Sequence, residues 1–250
     1  MGNQGVSERL DVEGLLSDAV RHFWITRQAQ TSRQGNQSGV LDTGNRKAVT
    51  GGKHADGFVR LVGRIVSNAG LDGACIHAAS KSSRTLPGFF RPAKEWDLVV
   101  VVNGHLVAAI EVKSQVGSLG NNFNNRVEEA LGNATDFWHA YAKGMFPISS
   151  RPWLGYLFML EASEEAIRPT KPLHLPHFQI DSDFASRSYA QRYEEVCRRL
   201  VRERLYDSAC FITSYSDTGA LGQYAESTEE LGIKSFARSL HAHASSFAAI

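Results

Sequence analysis

Three side chains of this 250-residue chain have the types and spacing to do chemistry together: Asp97, Glu111 and Lys113. Asp97 stands at the foot of one apolar run, residues 98–102, and Glu111-Val112-Lys113 closes a second, residues 106–110. Strands buried on both faces read as continuous apolar runs, and charges at their ends are costly unless they are used. Converging carboxylates suit a hard cation, which takes oxygen ligands, and the backbone carbonyl of Val112 can add a third oxygen. Such a cation polarises a phosphoryl oxygen. Lys113, two residues beyond Glu111, points to the same side of its strand, where it can orient water or stabilise charge developing on phosphorus. The expected chemistry is Mg2+-dependent phosphodiester hydrolysis. Asp97, Glu111 and Lys113 are the catalytic candidates, and Asp97, Glu111 and Val112 the metal ligands. Glu95 shares the face of Asp97 and is a rival ligand; Asp97 is preferred because it abuts the apolar run directly.

The two runs flank Asn103-Gly104, a dipeptide that favours a two-residue turn pairing Val102 with His105. Carried regularly down the strands, that register sets Asp97 opposite Ile110 and leaves Glu111 and Lys113 on the wrong face. A three-residue loop pairing Val101 with His105, or an equivalent bulge within a strand, puts all three on one face. The chemistry therefore predicts an irregular hairpin.

The elements around the hairpin follow from periodicity. Leu10, Leu15, Leu16, Ala19, Val20 and Phe23 predict a helix over residues 7–28, and Phe58 to Ala69 a second, stopped by Gly70. Between them, residues 31–53 form a basic loop rich in Gly, Ser and Asn, expected to be flexible and to order on a phosphate backbone. Residues 74–78 read as a short strand, 81–92 as a Gly/Pro/Ser-containing connection, and 117–125 as a polar, Asn-rich segment leading into a helix. A buried strand at 154–160, a helix from Tyr189 to near Leu205, a strand at 209–214 and a C-terminal helix over 229–247 complete the chain. This order describes an α/β fold, a mixed central β-sheet flanked by helices, in a single domain over residues 1–250.

Bulk composition narrows the class. The chain is 42% hydrophobic and 21% charged, with no apolar run approaching the ~20 residues of a membrane span. Cys75, Cys197 and Cys210 form neither a zinc spacing nor a disulfide framework, so a reduced, cytoplasmic setting is expected, and the N-terminus has no signal-peptide pattern. Net charge is only +1, yet Arg21 to Arg64 holds eight Lys/Arg against Asp42 and Asp56, which fits a polyanion-binding face. Asn and Gln can bond adenine, and Arg or Lys guanine. Asn121, Asn122, Asn124, Asn125 and Arg126 at a helix start, with Lys53, His54 and Asp56 beside the basic loop, are therefore the DNA-binding candidates. The arginines of residues 187–204 read as a solvated helix face. The nine histidines show no metal-site setting, and no nucleotide-binding loop is present.

With Asp97 and then Glu111-Val112-Lys113, the chain resembles the PD-(D/E)xK nuclease superfamily, although Trp96 stands where the name expects proline. More specifically it resembles type II restriction endonucleases of the XhoI group. The resemblance covers Val49-Thr50-Gly51-Gly52-Lys53-His54-Ala55-Asp56-Gly57-Phe58, the hairpin, and Gly117-Ser118-Leu119-Gly120-Asn121-Asn122 into Arg126-Val127-Glu128-Glu129-Ala130. It continues in Ser188-Tyr189-Ala190-Gln191-Arg192-Tyr193 and Leu205-Tyr206-Asp207. It implies a restriction-endonuclease-like core and a homodimer that cuts double-stranded DNA at CTCGAG after the first C, leaving 5′-phosphate ends. A cognate DNA methyltransferase would belong to the same system, with no direct contact implied. The alternatives are a repair or structure-selective nuclease of the same superfamily, or a DNA-binding module that keeps the fold without cleaving.

Overall fold

A computed structural model describes residues 10–35, 53–146, 150–172 and 174–248. Most of the expected basic loop, residues 36–52 with Arg46 and Lys47, lies outside them. Helix α1 spans Val12–Gly35, so the first residues assigned to that loop continue the helix. Its start is set by Asp11, whose carboxylate accepts the Gly14 N–H at 2.9 Å, as an N-cap does. A short 3-10 turn, Lys53–Ala55, leads into α2, Asp56–Asn68, which ends where Gly70 turns left-handed at φ +94°.

Strand β1 (Ile76–His77) is followed by a feature that the sequence reading missed. Within the expected connection, β2 (Thr85–Pro87) and β3 (Ala93–Glu95) form a separate antiparallel ribbon, pairing Leu86 with Lys94. Strands of three residues are too short for alternation to reveal. Next come β4 (Leu98–Val102), β5 (His105–Gln115), α3 (Leu119–Ala142) and β6 (Trp153–Glu161). The short α4 (Glu164–Ile167), α5 (Tyr189–Arg202), β7 (Ser208–Ser214), α6 (Ser216–Gly219), β8 (Ala225–Glu226) and α7 (Ile233–Ala248) complete the order. Helix α3 begins already at Leu119, so the Asn-rich segment forms its first turns.

The main sheet has the order β1-β4-β5-β6-β7-β8, with β5-β6-β7 parallel and the remaining neighbours antiparallel. Both faces are covered. On one, Leu16, Phe23, Phe58, Ile65 and Leu240 from α1, α2 and α7 pack on Val100, Ile110 and Leu157. On the other, Ala134, Phe137, Tyr193 and Leu200 from α3 and α5 pack on Val99, Ala109 and Phe158.

The hairpin is irregular, as the chemistry required, and the irregularity lies in the strand. Asn103 and Gly104 both have positive φ (50° and 82°) and form the two-residue turn that Asn-Gly favours, pairing Val102 with His105. The register then shifts: Val101 pairs with Leu106 but Val100 with Ala108, so Val107 is an extra residue. Leu106 belongs to the α3-side core, whereas Val107 and Ala108 both belong to the other. His243 of α7 sits with Nε2 3.1 Å from the Val107 carbonyl oxygen, placed to donate to it. Replacing His243 with Leu should therefore lower stability by about 1–3 kcal/mol, the cost of stranding a buried acceptor, read as a drop in the urea midpoint. A midpoint unchanged from the parent would show that the bulge does not need this partner.

Candidate active site

Continuing the observed register past Leu98 and Ile110 puts Asp97 opposite Glu111, with Lys113 two residues on along the same face. The Asp97 N–H donates to the Ile110 carbonyl (3.1 Å), and Asp97 Oδ2 accepts the Val112 N–H at 2.7 Å. The three-residue loop pairing Val101 with His105 would have set Asp97 opposite Ala109; that partner is not found, but the shared face is. A bulge on β5 moves the partner by two positions relative to a three-residue loop and leaves the parity unchanged.

Glu111 is buried, 2% exposed, with each carboxylate oxygen on a different ammonium. Lys113 Nζ lies 2.6 Å from Oε1 and Lys94 Nζ 2.8 Å from Oε2. Burial alone would raise the Glu111 pKa, but the two lysines outweigh it and hold the group ionised below its ordinary range. The same pairing keeps Lys113 charged against its own burial, assisted by Asp97 and by Glu129 on α3. Asp97 has no comparable partner. Burial first, and then the Glu111 charge, push its pKa from 3.8 to about 6, only partly offset by the Val112 N–H and the lysines.

Lys94 escaped the sequence reading because its ribbon did. It extends over Trp96, 4.5 Å from the ring centroid, and Trp96 is itself buried against Phe137. Glu95, the rival ligand, is held instead by Arg84 at 2.5 Å and Lys81 at 3.0 Å. Among the described residues no three His, Cys, Asp or Glu side chains converge on one point. The donors available to a cation here are two carboxylates with main-chain oxygen. That set suits a small hard cation, which keeps part of its own hydration shell.

Asp97 opens onto a cleft that it shares with Lys53, Asp56, Arg60 and Arg84. Lys53 and Asp56 are exposed there, and Asp56 caps no helix through its side chain, lying instead in the first turn of α2. His54 turns inward: it is 6% exposed, its ring packs edge-on against Phe23 at 5.1 Å, and burial lowers its pKa. At the start of α3, Asn121, Asn124 and Asn125 are exposed. Asn122 bonds back to the Ser118 carbonyl at 2.8 Å and Asn125 to that of Asn121 at 3.4 Å. Arg126 pairs with Glu129 at 2.7 Å, leaving its buried Nε without a partner. The α5 arginines are largely engaged in ion pairs: Arg198 with Glu194 and Glu195, and Arg199 with Asp181, Asp183 and Glu195.

A mixed six-stranded sheet with helices on both faces is an α/β fold of the restriction-endonuclease-like kind. Residues 34–226 match the model of the XhoI restriction endonuclease family. The chain is 44% identical over 220 residues to the type II restriction enzyme BstVI of Geobacillus stearothermophilus, covering 86% of this chain and 97% of that one. It is 39% identical over 183 residues to the type II restriction enzyme XhoI of Xanthomonas vasicola, 73% of this chain and 72% of that one. With the type II restriction enzyme AbrI of Azospirillum brasilense it shares 44% identity over 173 residues, 69% and 76% of the two chains. No solved structure is significantly similar to it. The chain belongs to the XhoI restriction endonuclease family, whose activity is that of a type II site-specific deoxyribonuclease.

The raised Asp97 pKa has a consequence for stability. Its folded value, about 6, lies above the unfolded value near 3.8, so the native state binds the extra proton between them. Stability from this group is therefore present at low pH and lost as pH rises through about 6. Asp97→Asn, whose side-chain oxygen can still accept the Val112 N–H, should stabilise the cation-free protein at pH 7.5 by roughly 2–3 kcal/mol, since each pH unit is worth about 1.4. The gain should shrink to nothing below pH of about 4, measured by urea unfolding in chelator. A gain that does not change with pH would refute the electrostatic origin.

Proposed function

We propose that this protein is a Mg2+-dependent endonuclease that hydrolyses double-stranded DNA at the palindrome CTCGAG after the first C, leaving 5′-phosphate ends. We further propose that it acts as a homodimer, folded as one domain over residues 1–250, in the cytoplasm beside a cognate methyltransferase. The observation that carries the reading is the shared face of Asp97, Glu111 and Lys113, of which Asp97 lines a cleft with Lys53, Arg60 and Arg84. The family membership supplies the substrate class. No described helix is long and apolar enough to cross a membrane.

In this reading Asp97 and Glu111, with the carbonyl of Val112, would hold the cation, and the bound ion would supply Lewis acidity toward the phosphate. Lys113, fixed by Glu111 at 2.6 Å, presents its remaining N–H bonds to the scissile phosphate and the attacking water. Attack in line leaves a 3′-hydroxyl. Lys53 and Asp56 at the cleft, with Asn121, Asn122, Asn124, Asn125 and Arg126 at the start of α3, form the DNA-contacting surface. That helix start suits phosphate as well as bases, because Ser118 does not cap it with its side chain. The buried His54 contributes by packing the 3-10 turn that presents Lys53.

Plasmid DNA incubated with the protein and Mg2+ should give discrete fragments whose sequenced ends read TCGAG at the 5′ side. A smear would point to a nonspecific nuclease, and intact DNA with a gel shift to a binding module. Glu111→Ala and Lys113→Ala should each lower the cleavage rate by at least ~10²–10³ while leaving binding measurable; either variant cutting at the parent rate would refute the site. Binding should weaken steeply with salt, and Lys53→Ala should reduce the log–log salt slope by about one if Lys53 holds a phosphate.

A further inference from the structure

The second lysine on Glu111 has no part in the reaction as drawn above. We propose that Lys94 is a resident counter-ion of the cation site: it occupies Glu111 Oε2 in the cation-free protein and yields that oxygen when a divalent cation binds. The proposal rests on reading Asp97 and Glu111 as cation ligands.

The two lysines are held differently. Lys113 stands on the same strand and face as Glu111, with Asp97 and Glu129 also stabilising its charge. Lys94 arrives from β3, in a ribbon outside the main sheet, and its side chain is 11% exposed. Its Nζ has two other partners within reach: the Glu95 carbonyl oxygen at 3.0 Å and the face of Trp96 at 4.5 Å. An ammonium moved off Glu111 therefore keeps a hydrogen bond and a cation–π contact. The one ion pair of Lys113 among the described residues is with Glu111 itself.

Charge balance gives the reason for a counter-ion. Asp97 and Glu111 face each other in a site that buries Glu111 to 2% exposure. Two carboxylates with only Lys113 would carry net negative charge out of water, whereas Lys94 brings the cation-free set of four groups to neutrality. A divalent cation held by these carboxylates would reverse that logic. The centre then gains two positive charges, and an ammonium 2.8 Å from a ligand oxygen is repelled by the ion it adjoins. Lys94 thus stabilises the empty site and competes with the ion for Oε2, so it lowers cation affinity while no DNA is bound.

The test uses Mg2+ alone, without DNA, titrated into the full-length protein by calorimetry and by tryptophan emission. Lys94→Met keeps the stem against Trp96 and removes the charge, and it should bind Mg2+ at least tenfold more tightly than the parent. Lys94→Arg should return the affinity towards the parent value. The parent should show an emission change on adding Mg2+ that is absent from Trp96→Phe and from Lys94→Met. Equal or weaker Mg2+ binding by Lys94→Met would overturn the proposal, because a lysine that merely supports Glu111 cannot raise affinity when removed. Should Lys94→Met fail to fold, the parent decides: no Trp96-dependent change on saturation with Mg2+ overturns it. Failure of the underlying site looks different, since Asp97→Asn and Glu111→Ala would then bind Mg2+ as the parent does.

Discussion

Side chains alternate along a strand, so a slip of one residue between β4 and β5 would carry Glu111 and Lys113 into the opposite core from Asp97. The site depends on that parity. The Asn103-Gly104 turn fixes the wrong parity, and the extra residue Val107 corrects it four residues before Glu111. The correction must hold against two packed cores, because every residue beyond the bulge is committed to one face or the other. Ala109 belongs to the α3-side core, and Ile110 and Val112 to that of α1, α2 and α7. The bulge is thus enforced by packing along the whole hairpin, and His243 satisfies the carbonyl oxygen it exposes. A bulge inside the strand puts the irregularity where burial holds it.

The electrostatics follow from the same placement. Opposing Asp97 and Glu111 across one rung brings two like charges into a partly desolvated place, and the structure resolves the conflict unequally. Glu111 has both oxygens on lysines and remains ionised, while Asp97, with one backbone N–H, is pushed up to about 6. This asymmetry also explains the ribbon of β2 and β3. Without it Lys94 would not reach Glu111, and Trp96 would lose the cation above its ring. The ribbon is anchored by Trp96 in the α3-side core and by Arg84, which bonds the Trp96 carbonyl at 2.7 Å.

What the sequence reveals about this molecule depends on the length of the signal. The hairpin, α2, α5 and β6 each carry six or more apolar residues in register, and they stand where periodicity puts them. The need for an irregular hairpin was also legible, since it follows from parity alone, but its location was not: a loop and a strand bulge give the same parity. Lys94 was invisible because β3 has three residues and shows no alternation. The inward turn of His54 was equally hidden; Lys53-His54-Ala55 reads as polar, and only the docking of α2 on α1 buries the middle residue. That docking is close, since a Cβ at Gly57 would lie 2.9 Å from the Ala19 Cα. The end of α1 was misplaced because polar Gln, Thr and Ser carry no apolar period, although they continue the helix to Gly35.

Strand β5 and helix α3 are mechanically one unit. Only three residues separate the end of β5 at Gln115 from the start of α3 at Leu119, and two of them, Gly117 and Ser118, take left-handed φ values of 65° and 50°. Successive left-handed residues turn the chain sharply, and they hold only when their neighbours are bonded. Here Gln115 donates its amide to the Gly117 carbonyl at 2.5 Å, and the Gly117 N–H donates to Glu161 at the end of β6 at 3.0 Å. Glu129, one helical stretch further on, adds its charge to the field that keeps Lys113 protonated. A displacement at the start of α3 therefore reaches Lys113 by two routes, through the bonded turn and through the Glu129 charge. On the function proposed above, a base contact at Asn121 or Asn124 would act through this coupling on Lys113, the lysine proposed to face the phosphate.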